Sequence, residues 1–294
     1  MFFRAALILA LPIAIAGAQS TAENVPVFKG QIADGSWLRI RSMKGNIQVR
    51  EATGRDAVVT AKRRNGFGRS GDIKFEVLHD GSNVTVCAVW ERTRSCDAEG
   101  YDSGRGWNSS DEGSADFTVE LPRGLKLVAS TGNGEVEVRN AGGDVRASSG
   151  NGEVTVDGAG GSVDASSGNG DIRVDRAGDW VRASSGNGTV RVTTAKGPVN
   201  ANTGNGRIDV DMASLSGDDD MVFNTGNGSI TVTAPANLSA SIEASVNNNN
   251  FNTDFPVEVP AHWNTRRIQG TIGGGGRRMR FNTGNGQVNL RKHG

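Results

Sequence analysis

The chain has few of the residues from which catalytic sites are usually built. It contains three histidines, His79, His262 and His293, and none of them stands in a recognisable motif. No serine occupies a Gly-x-Ser-x-Gly elbow, and no Gly-Lys-Ser/Thr sequence follows a glycine-rich turn. These absences leave no evident nucleophile, general base or phosphate-binding loop. We therefore predict a protein that is not an enzyme, with no catalytic residue, no cofactor and no metal site.

Net charge and long apolar runs are also missing. The 32 Lys and Arg residues balance the 32 Asp and Glu residues, which removes the general electrostatic case for binding nucleic acid. Beyond residue 18, no stretch is long and apolar enough to cross a bilayer as a helix, so we predict no transmembrane segment. Hydrophobic residues make up 36% of the chain, which argues against a large globular core.

The one long apolar stretch predicts a signal peptide over residues 1–18. Arg4 is its only charge, and Ala16-Gly17-Ala18 fits a cleavage site before Gln19. The run is too short for a membrane span. No cysteine follows the site to carry a lipid anchor. We expect an exported protein, periplasmic or extracellular at the cell surface.

The chain has only two cysteines, Cys87 and Cys96. In an exported chain they favour a disulfide across a hairpin. A reactive thiol and a pair of metal ligands are the alternatives, although His79 with two cysteines makes an incomplete zinc set. The acidic, Gly/Ser-rich residues 97–116 match no calcium-loop spacing, and neither does Asp218-Asp219-Asp220. We expect solvated surface loops at both places.

Gly-Asn-Gly is the dominant pattern of the chain. Copies begin 18 residues apart at Gly132, Gly150, Gly168, Gly186 and Gly204, and two more follow at Gly226 and Gly284. Such fixed-period self-similarity indicates a repeat architecture. Each unit contains two segments that alternate apolar and polar residues, as strands with one buried face do. Glycine turns bound both segments.

The repeats predict an all-β fold, a single-stranded β-solenoid (β-helix) with 18-residue coils. Successive coils should stack about 4.8 Å apart. Inward columns such as Val136, Val154 and Ile172 face alanines, so the coils should be thin and flat. The turn asparagines should form a structural ladder, each amide bonding to the coils above and below. The predicted ladder consists of Asn133, Asn151, Asn169, Asn187, Asn205 and Asn227.

We divide the chain into three parts. The signal peptide at 1–18 is followed by an irregular β N-terminal cap with the first coils at 19–128, and by a regular β-solenoid with looser C-terminal coils at 129–294. Residues 37–49 look like a degenerate coil in register with the later repeats. Atypical end coils are expected as caps, because a bare solenoid end would expose an unpaired strand.

Basic residues concentrate at the C-terminal end. Gly273 to Gly276 would form a backbone nest for an anion beside Arg277, Arg278 and Arg280. The alternative is a flexible loop beside solvated arginines. As a binding site, this end would contact anionic glycan, lipid headgroups or the acidic loop of a neighbouring molecule, the last being a form of self-association.

Other solenoid classes fit less well. The position that carries Asp in calcium β-rolls holds Thr155, Arg173 and Arg191 here. Asp157, Asp175 and Asp211 share a column that would supply the acids of a carbohydrate-cleaving β-helix, but Arg139 and Thr193 are interleaved in the same column. This column is typical of a solvated edge.

Three segments resemble the adhesin-like family of bacterial β-strand-repeat proteins, a domain of unknown function. They are the repeat Ser-Gly-Asn-Gly-Glu-Val-Thr-Val, the lead-in at 119–125 and the closing segment at 270–276. The resemblance covers essentially the whole mature chain. It implies an exported β-solenoid of the cell envelope and supplies no catalytic residues.

We expect a non-catalytic exported envelope protein, adhesin-like, that binds or scaffolds through its solenoid faces. Its partner would be an envelope glycan, a lipid headgroup or a protein. A carbohydrate-active β-helix enzyme and an envelope-stress or regulatory component are the alternatives.

Overall fold

The computed structural model describes residues 24–64, 73–104, 113–194, 196–246, 250–259 and 267–294. The predicted signal peptide, His262 and residues 105–112 of the acidic loop lie outside the described residues. The division at residues 128 and 129 stays a prediction.

The described residues form β-strands and hairpins joined by short turns. In chain order the strands are β1 (Asn24–Gly30), β2 (Trp37–Lys44), β3 (Ile47–Glu51), β4 (Ala57–Arg64), β5 (Lys74–Asp80), β6 (Asn83–Val89), β7 (Ser95–Cys96), β8 (Tyr101–Asp102), β9 (Ser114–Leu121), β10 (Lys126–Asn133), β11 (Val136–Ala141), β12 (Val145–Asn151), β13 (Val154–Ala159), β14 (Val163–Asn169), β15 (Ile172–Ala177), β16 (Val181–Asn187), β17 (Val190–Thr194), β18 (Val199–Asn205), β19 (Ile208–Met212), β20 (Met221–Asn227), β21 (Ile230–Ala234), β22 (Ala240–Val246), β23 (Phe251–Thr253), β24 (Arg267–Ile272), β25 (Arg278–Asn285) and β26 (Val288–Lys292). None of the described residues belongs to a helix that could cross a membrane.

Two 12-stranded sheets make up the body of the molecule. Sheet 1 runs β1-β4-β9-β3-β11-β13-β15-β17-β19-β21-β26-β23, and sheet 2 runs β24-β22-β25-β20-β18-β16-β14-β12-β10-β2-β6-β5. Each coil gives one strand to each sheet. Val154 pairs with Ile172 in sheet 1, and Ala147 pairs with Ala165 in sheet 2, both in parallel register. The predicted β-solenoid with 18-residue coils is confirmed.

The core is one thin layer between the two sheets. Val154, Ile172 and the facing Ala165 are essentially inaccessible to solvent. Full burial of each valine or isoleucine contributes about 1.5–3 kcal/mol, so the columns supply most of the stacking energy. Towards the C-terminal end, Phe223 and Phe281 take the alanine position and stack with ring centroids 5.2 Å apart.

Only glycine fits at the third position of the Gly-Asn-Gly turn. Gly188 has a φ of +154°, and a Cβ there would lie 2.3 Å from the Gly170 carbonyl oxygen of the preceding coil. A side chain would therefore push adjacent coils apart. Gly152, Gly170, Gly206 and Gly228 meet the same obstacle.

A column of buried hydroxyls lies behind these turns, and the sequence analysis missed it. The Ser185 hydroxyl is 4% exposed and donates to the carbonyl oxygen of Gly170 at 2.8 Å. The equivalent bond is made in neighbouring coils by Thr131, Ser149, Ser167, Thr203, Thr225 and Thr283. Each bond ties the inner end of a strand to the glycine turn of the coil before it.

The order of coils along the stack differs from their order in the sequence at both ends. Strands β2 and β3 lie between the regular coils and the cap formed by β4, β5, β6 and β9. Strands β25 and β26 lie between β20–β21 and the outer β22 and β23. The seventh Gly-Asn-Gly copy, isolated in the sequence, therefore stacks directly on the sixth, with Asn285 beside Asn227.

A disulfide joins Cys87 of β6 to Cys96 of β7. It does not close a single hairpin, as the sequence suggested, but fastens the β7–β8 hairpin onto sheet 2. The Tyr101 hydroxyl adds a hydrogen bond to the Ala88 carbonyl oxygen at 3.0 Å.

Candidate binding face

An exposed tryptophan stands at one edge of the outer face of sheet 2. Trp180 is 39% exposed, one of three large hydrophobic side chains that reach solvent to this extent in the described part of the chain. It belongs to a column of residues at the beginnings of the strands, which we name the tryptophan column: Trp37, Lys126, Asp144, Ser162, Trp180 and Pro198. Backbone hydrogen bonds of 2.9–3.0 Å join the successive coils along this edge.

Side-chain contacts fix the first half of the tryptophan column. The Arg146 guanidinium lies 4.8 Å, and the Lys126 ammonium 5.5 Å, from the centre of the Trp37 ring, within cation–π range. Lys126 also forms an ion pair with Asp144, with Nζ and Oδ2 3.2 Å apart. The Asp144 Oδ1 accepts hydrogen bonds of 3.0 Å from both the backbone nitrogen and the hydroxyl of Ser162.

The pKa of Asp144 reflects these contacts. Partial burial by itself raises the pKa of this carboxyl, but the hydrogen bonds from Ser162 and the ion pair with Lys126 outweigh burial and leave the pKa below its ordinary value. Asp144 is therefore ionised at neutral pH. Trp180 lies four coils from Trp37, about 19 Å along the stack.

Two more columns cover the outer face of sheet 2. Arg146, Asp164 and Arg182 pair in register, so the charges alternate from coil to coil. About 7 Å further along the strands lies a column of small polar residues, Ser130, Ser148, Ser166, Ser184, Asn202, Asn224 and Asn282. Within it, Ser148 donates to Ser130 at 2.8 Å and Asn224 donates to Asn202 at 2.8 Å. The face is flat, polar and bounded by Trp180.

The turn asparagines close the other edge of this face. From Asn151 onwards, each Nδ2 donates to the Oδ1 of the asparagine in the coil before it, at 2.7–2.9 Å. The bonded series contains the six asparagines of the predicted ladder and adds Asn285. The amides are mostly solvent-exposed, so the ladder is also a surface.

The acidic column of sheet 1 lies on the opposite face and is ion-paired. Asp175 meets Arg173 at 2.6 Å, Asp157 meets Arg176 at 2.7 Å, and Asp211 meets the His293 ring at 3.1 Å. The carboxylates lie on an open sheet surface. These pairings fit a charged, solvated edge, as the sequence predicted.

The C-terminal arginines contact acidic or carbonyl partners within the chain. Arg277 donates to the Gly217 carbonyl, and the Arg278 backbone nitrogen donates to Asp220 at 2.9 Å. Arg280 lies 3.3 Å from a carboxylate oxygen of Glu243. Residues 217–220 lie in the longer repeat between Gly204 and Gly226, and they thus contact the chain at Arg277 and Arg278. Anion binding at Arg277, Arg278 and Arg280 stays a prediction, and an anion would compete with these partners.

Two other kinds of site, a metal site and a cleft at the N-terminal cap, were compared with this face. Within the described ranges, no group of three or more His, Cys, Asp or Glu side chains is placed to hold a metal ion. A cleft of about 1060 Å³ opens at the N-terminal cap between residues 31–34, 51–55 and 122–123. Two of its charged side chains, Glu51 and Arg123, are paired with each other.

The chain was compared with known protein families, curated proteins and solved structures. The profile of the family described as Toastrack DUF4097 matches residues 36–291. A solved structure of a candidate cell adhesion protein from Clostridium sporogenes is 10% identical, with 91% of this chain and 100% of that chain covered, and has a TM-score of 0.27. A candidate adhesin from Bacteroides fragilis is 11% identical, with 93% and 98% covered, and has a TM-score of 0.37. No curated protein matches the chain.

Proposed function

Because the chain belongs to the Toastrack family, matched over residues 36–291, we propose that it is a non-catalytic, adhesin-like binding protein of the cell envelope. We propose further that it holds an extended glycan along the outer face of sheet 2. The observation that carries this proposal is Trp180, exposed at the edge of a flat strip of hydroxyl and amide side chains. An exposed indole offers an apolar surface for the C–H face of a sugar ring. The small polar columns offer hydrogen-bond partners at each coil, about 4.8 Å apart.

The same face suits a glycan better than a membrane surface or a folded protein. Its charges alternate between Arg146, Asp164 and Arg182, so it presents no single-sign field to anionic headgroups. The three exposed large hydrophobics of the described residues lie in separate parts of the chain: Leu78 in β5, Trp180 just before β16 and Val259 between β23 and β24. They do not belong to one apolar segment of the kind that protein partners use.

Export is part of this proposal. The disulfide between Cys87 and Cys96 is expected in an oxidising compartment, which supports the periplasm or the cell surface. The signal peptide predicted at residues 1–18 belongs to the same proposal. The ion-paired acidic column of sheet 1 supports binding without cleavage.

The test compares Trp180→Ala with Leu78→Ala in binding to purified envelope polysaccharides, measured by calorimetry. The two residues are matched, since their exposed fractions are 39% and 38% and both lie on sheet 2 or its edge. We expect Trp180→Ala to weaken binding about tenfold or more, and Leu78→Ala to leave it unchanged. Equal affinity of wild type and Trp180→Ala would refute the binding face, and shortening of the polysaccharide by wild type would refute the non-catalytic function.

A further inference from the structure

The ladder turn repeats a chemically labile dipeptide. Asn is followed directly by Gly at all seven ladder positions, from Asn133-Gly134 to Asn285-Gly286. Asn-Gly deamidates more readily than other Asn-containing dipeptides, because glycine has no side chain to hinder attack by its own backbone nitrogen on the asparagine Cγ. The fold cannot avoid the dipeptide here. The φ of +154° and the 2.3 Å approach at Gly188 exclude any side chain, and the ladder needs a residue that both donates and accepts.

Both reacting groups are hydrogen-bonded to neighbouring coils in the folded stack. The attacking nitrogen of Gly188 donates its hydrogen to the Asn205 carbonyl oxygen at 3.0 Å. The Asn187 Nδ2 donates to Asn169, and the Asn187 Oδ1 accepts from Asn205, both at 2.8 Å. Attack by the nitrogen on Cγ would have to break these three bonds together. The backbone bond recurs at Gly134, Gly152, Gly170, Gly206 and Gly228.

From this arrangement we propose that the asparagine ladder is a latent modification site, closed in the stacked coils and deamidated when coils separate. On opening, the glycine nitrogen forms a bond to Cγ and loses its proton. The Cγ–Nδ2 bond breaks, and Nδ2 takes up a proton and leaves as ammonia. Water then adds to either carbonyl of the succinimide and yields Asp or isoaspartate. No oxidant or further reactant is needed.

The product does not fit the stack. An ionised Asp at position 187 accepts but does not donate, so it faces the Asn169 Oδ1 without a hydrogen to offer. Isoaspartate adds one carbon to the backbone and shifts the following glycine out of the position where it meets Gly170. One deamidation therefore marks a coil as having been open and prevents it from closing in the same way.

Peptide mass spectrometry of the intact folded chain tests this proposal. One sample is incubated folded at mildly alkaline pH and another in urea at the same pH, and Asp and isoaspartate are quantified at each ladder site. We expect interior sites such as Asn169 and Asn187 to react at least about tenfold more slowly in the folded sample, because reaction requires local opening. Equal rates in the two samples would overturn the proposal.

A variant separates the ladder from general folding. Asn169→Ala removes one of the two ladder partners of Asn151 and of Asn187, and leaves Asn227 bonded to Asn205. At temperatures where the variant remains folded by circular dichroism, Asn151 and Asn187 should deamidate faster than in wild type, and Asn227 should not. Ser184→Ala, an exposed change in the same sheet, serves as the control. Unchanged rates at both neighbours would show that the ladder does not protect. If the variant fails to fold, the comparison of folded and urea-treated wild type still decides.

Discussion

Ser184 and Ser185 are adjacent in β16 and point to opposite sides of sheet 2. Ser184 is exposed on the outer face, whereas Ser185 is 4% exposed and donates to the Gly170 carbonyl oxygen at 2.8 Å. Ser185→Ala removes the donor and leaves that oxygen without it, which costs about 1–3 kcal/mol when the acceptor is buried. Ser184→Ala removes the same atom at the surface and should change the free energy of unfolding by less than about 0.5 kcal/mol.

Urea unfolding measures both variants when it is followed by tryptophan fluorescence, to which Trp180 of the same coil contributes. We expect a lower midpoint for Ser185→Ala at an unchanged slope, and no shift for Ser184→Ala. Ser185→Thr should retain the wild-type midpoint, because Thr203 and Thr225 make the same bond at 2.9 Å and 3.0 Å in later coils. Equal shifts for Ser184→Ala and Ser185→Ala, or a Thr variant as unstable as the Ala variant, would refute the role of the hydroxyl column.

Two further predictions concern the C-terminal end of β15 and the tryptophan column. Arg176 has a φ of +56°, a left-handed conformation that costs a non-glycine residue about 1–2 kcal/mol and that Asn tolerates better. Arg176→Asn should therefore raise the free energy of unfolding by up to about 1 kcal/mol. Arg173→Asn, at an extended position of β15, is the control. An Arg176→Asn variant that is less stable than Arg173→Asn would contradict this reasoning. Asp144 has a lowered pKa, so its contribution to stability is present above the ordinary carboxyl pKa of about 3.9 and is lost as the pH falls through that value and the folded-state pKa. Thermal unfolding between neutral and acidic pH should show a shallower acid loss in Asp144→Asn than in wild type, and identical slopes would count against the ion pair.

The regular coils could be predicted from the sequence because each coil meets copies of its own residue types. A valine at position 154 lies beside Ile172, and Ala147 lies beside Ala165, so alternation within one repeat also fixes the contacts between repeats. The spacing of 18 residues then sets the register. No contact outside the repeat is needed to specify this part of the fold.

Caps at the ends and the in-register coil at 37–49 were predicted, but the stacking order at the ends and the proposed binding face were not, for two different reasons. Stacking order at the ends depends on long-range pairing, although the hexapeptide Phe-Asn-Thr-Gly-Asn-Gly at 223–228 and 281–286 is a signal that these coils are neighbours. The tryptophan column has no repeated residue type. Its members share only their spacing of 18 residues: Lys126, Asp144, Ser162, Trp180 and Pro198. They become neighbours only when the coils are stacked.

At each end the chain builds the outer cap strands and then returns to continue the stack, between β3 and β10 at one end and between β21 and β25 at the other. Neither cap depends on the number of coils that lie between the two caps. Duplication or deletion of one complete 18-residue unit in the middle would therefore lengthen or shorten the molecule by a single step and preserve both ends. The number of repeats therefore sets the length of the molecule independently of its two caps.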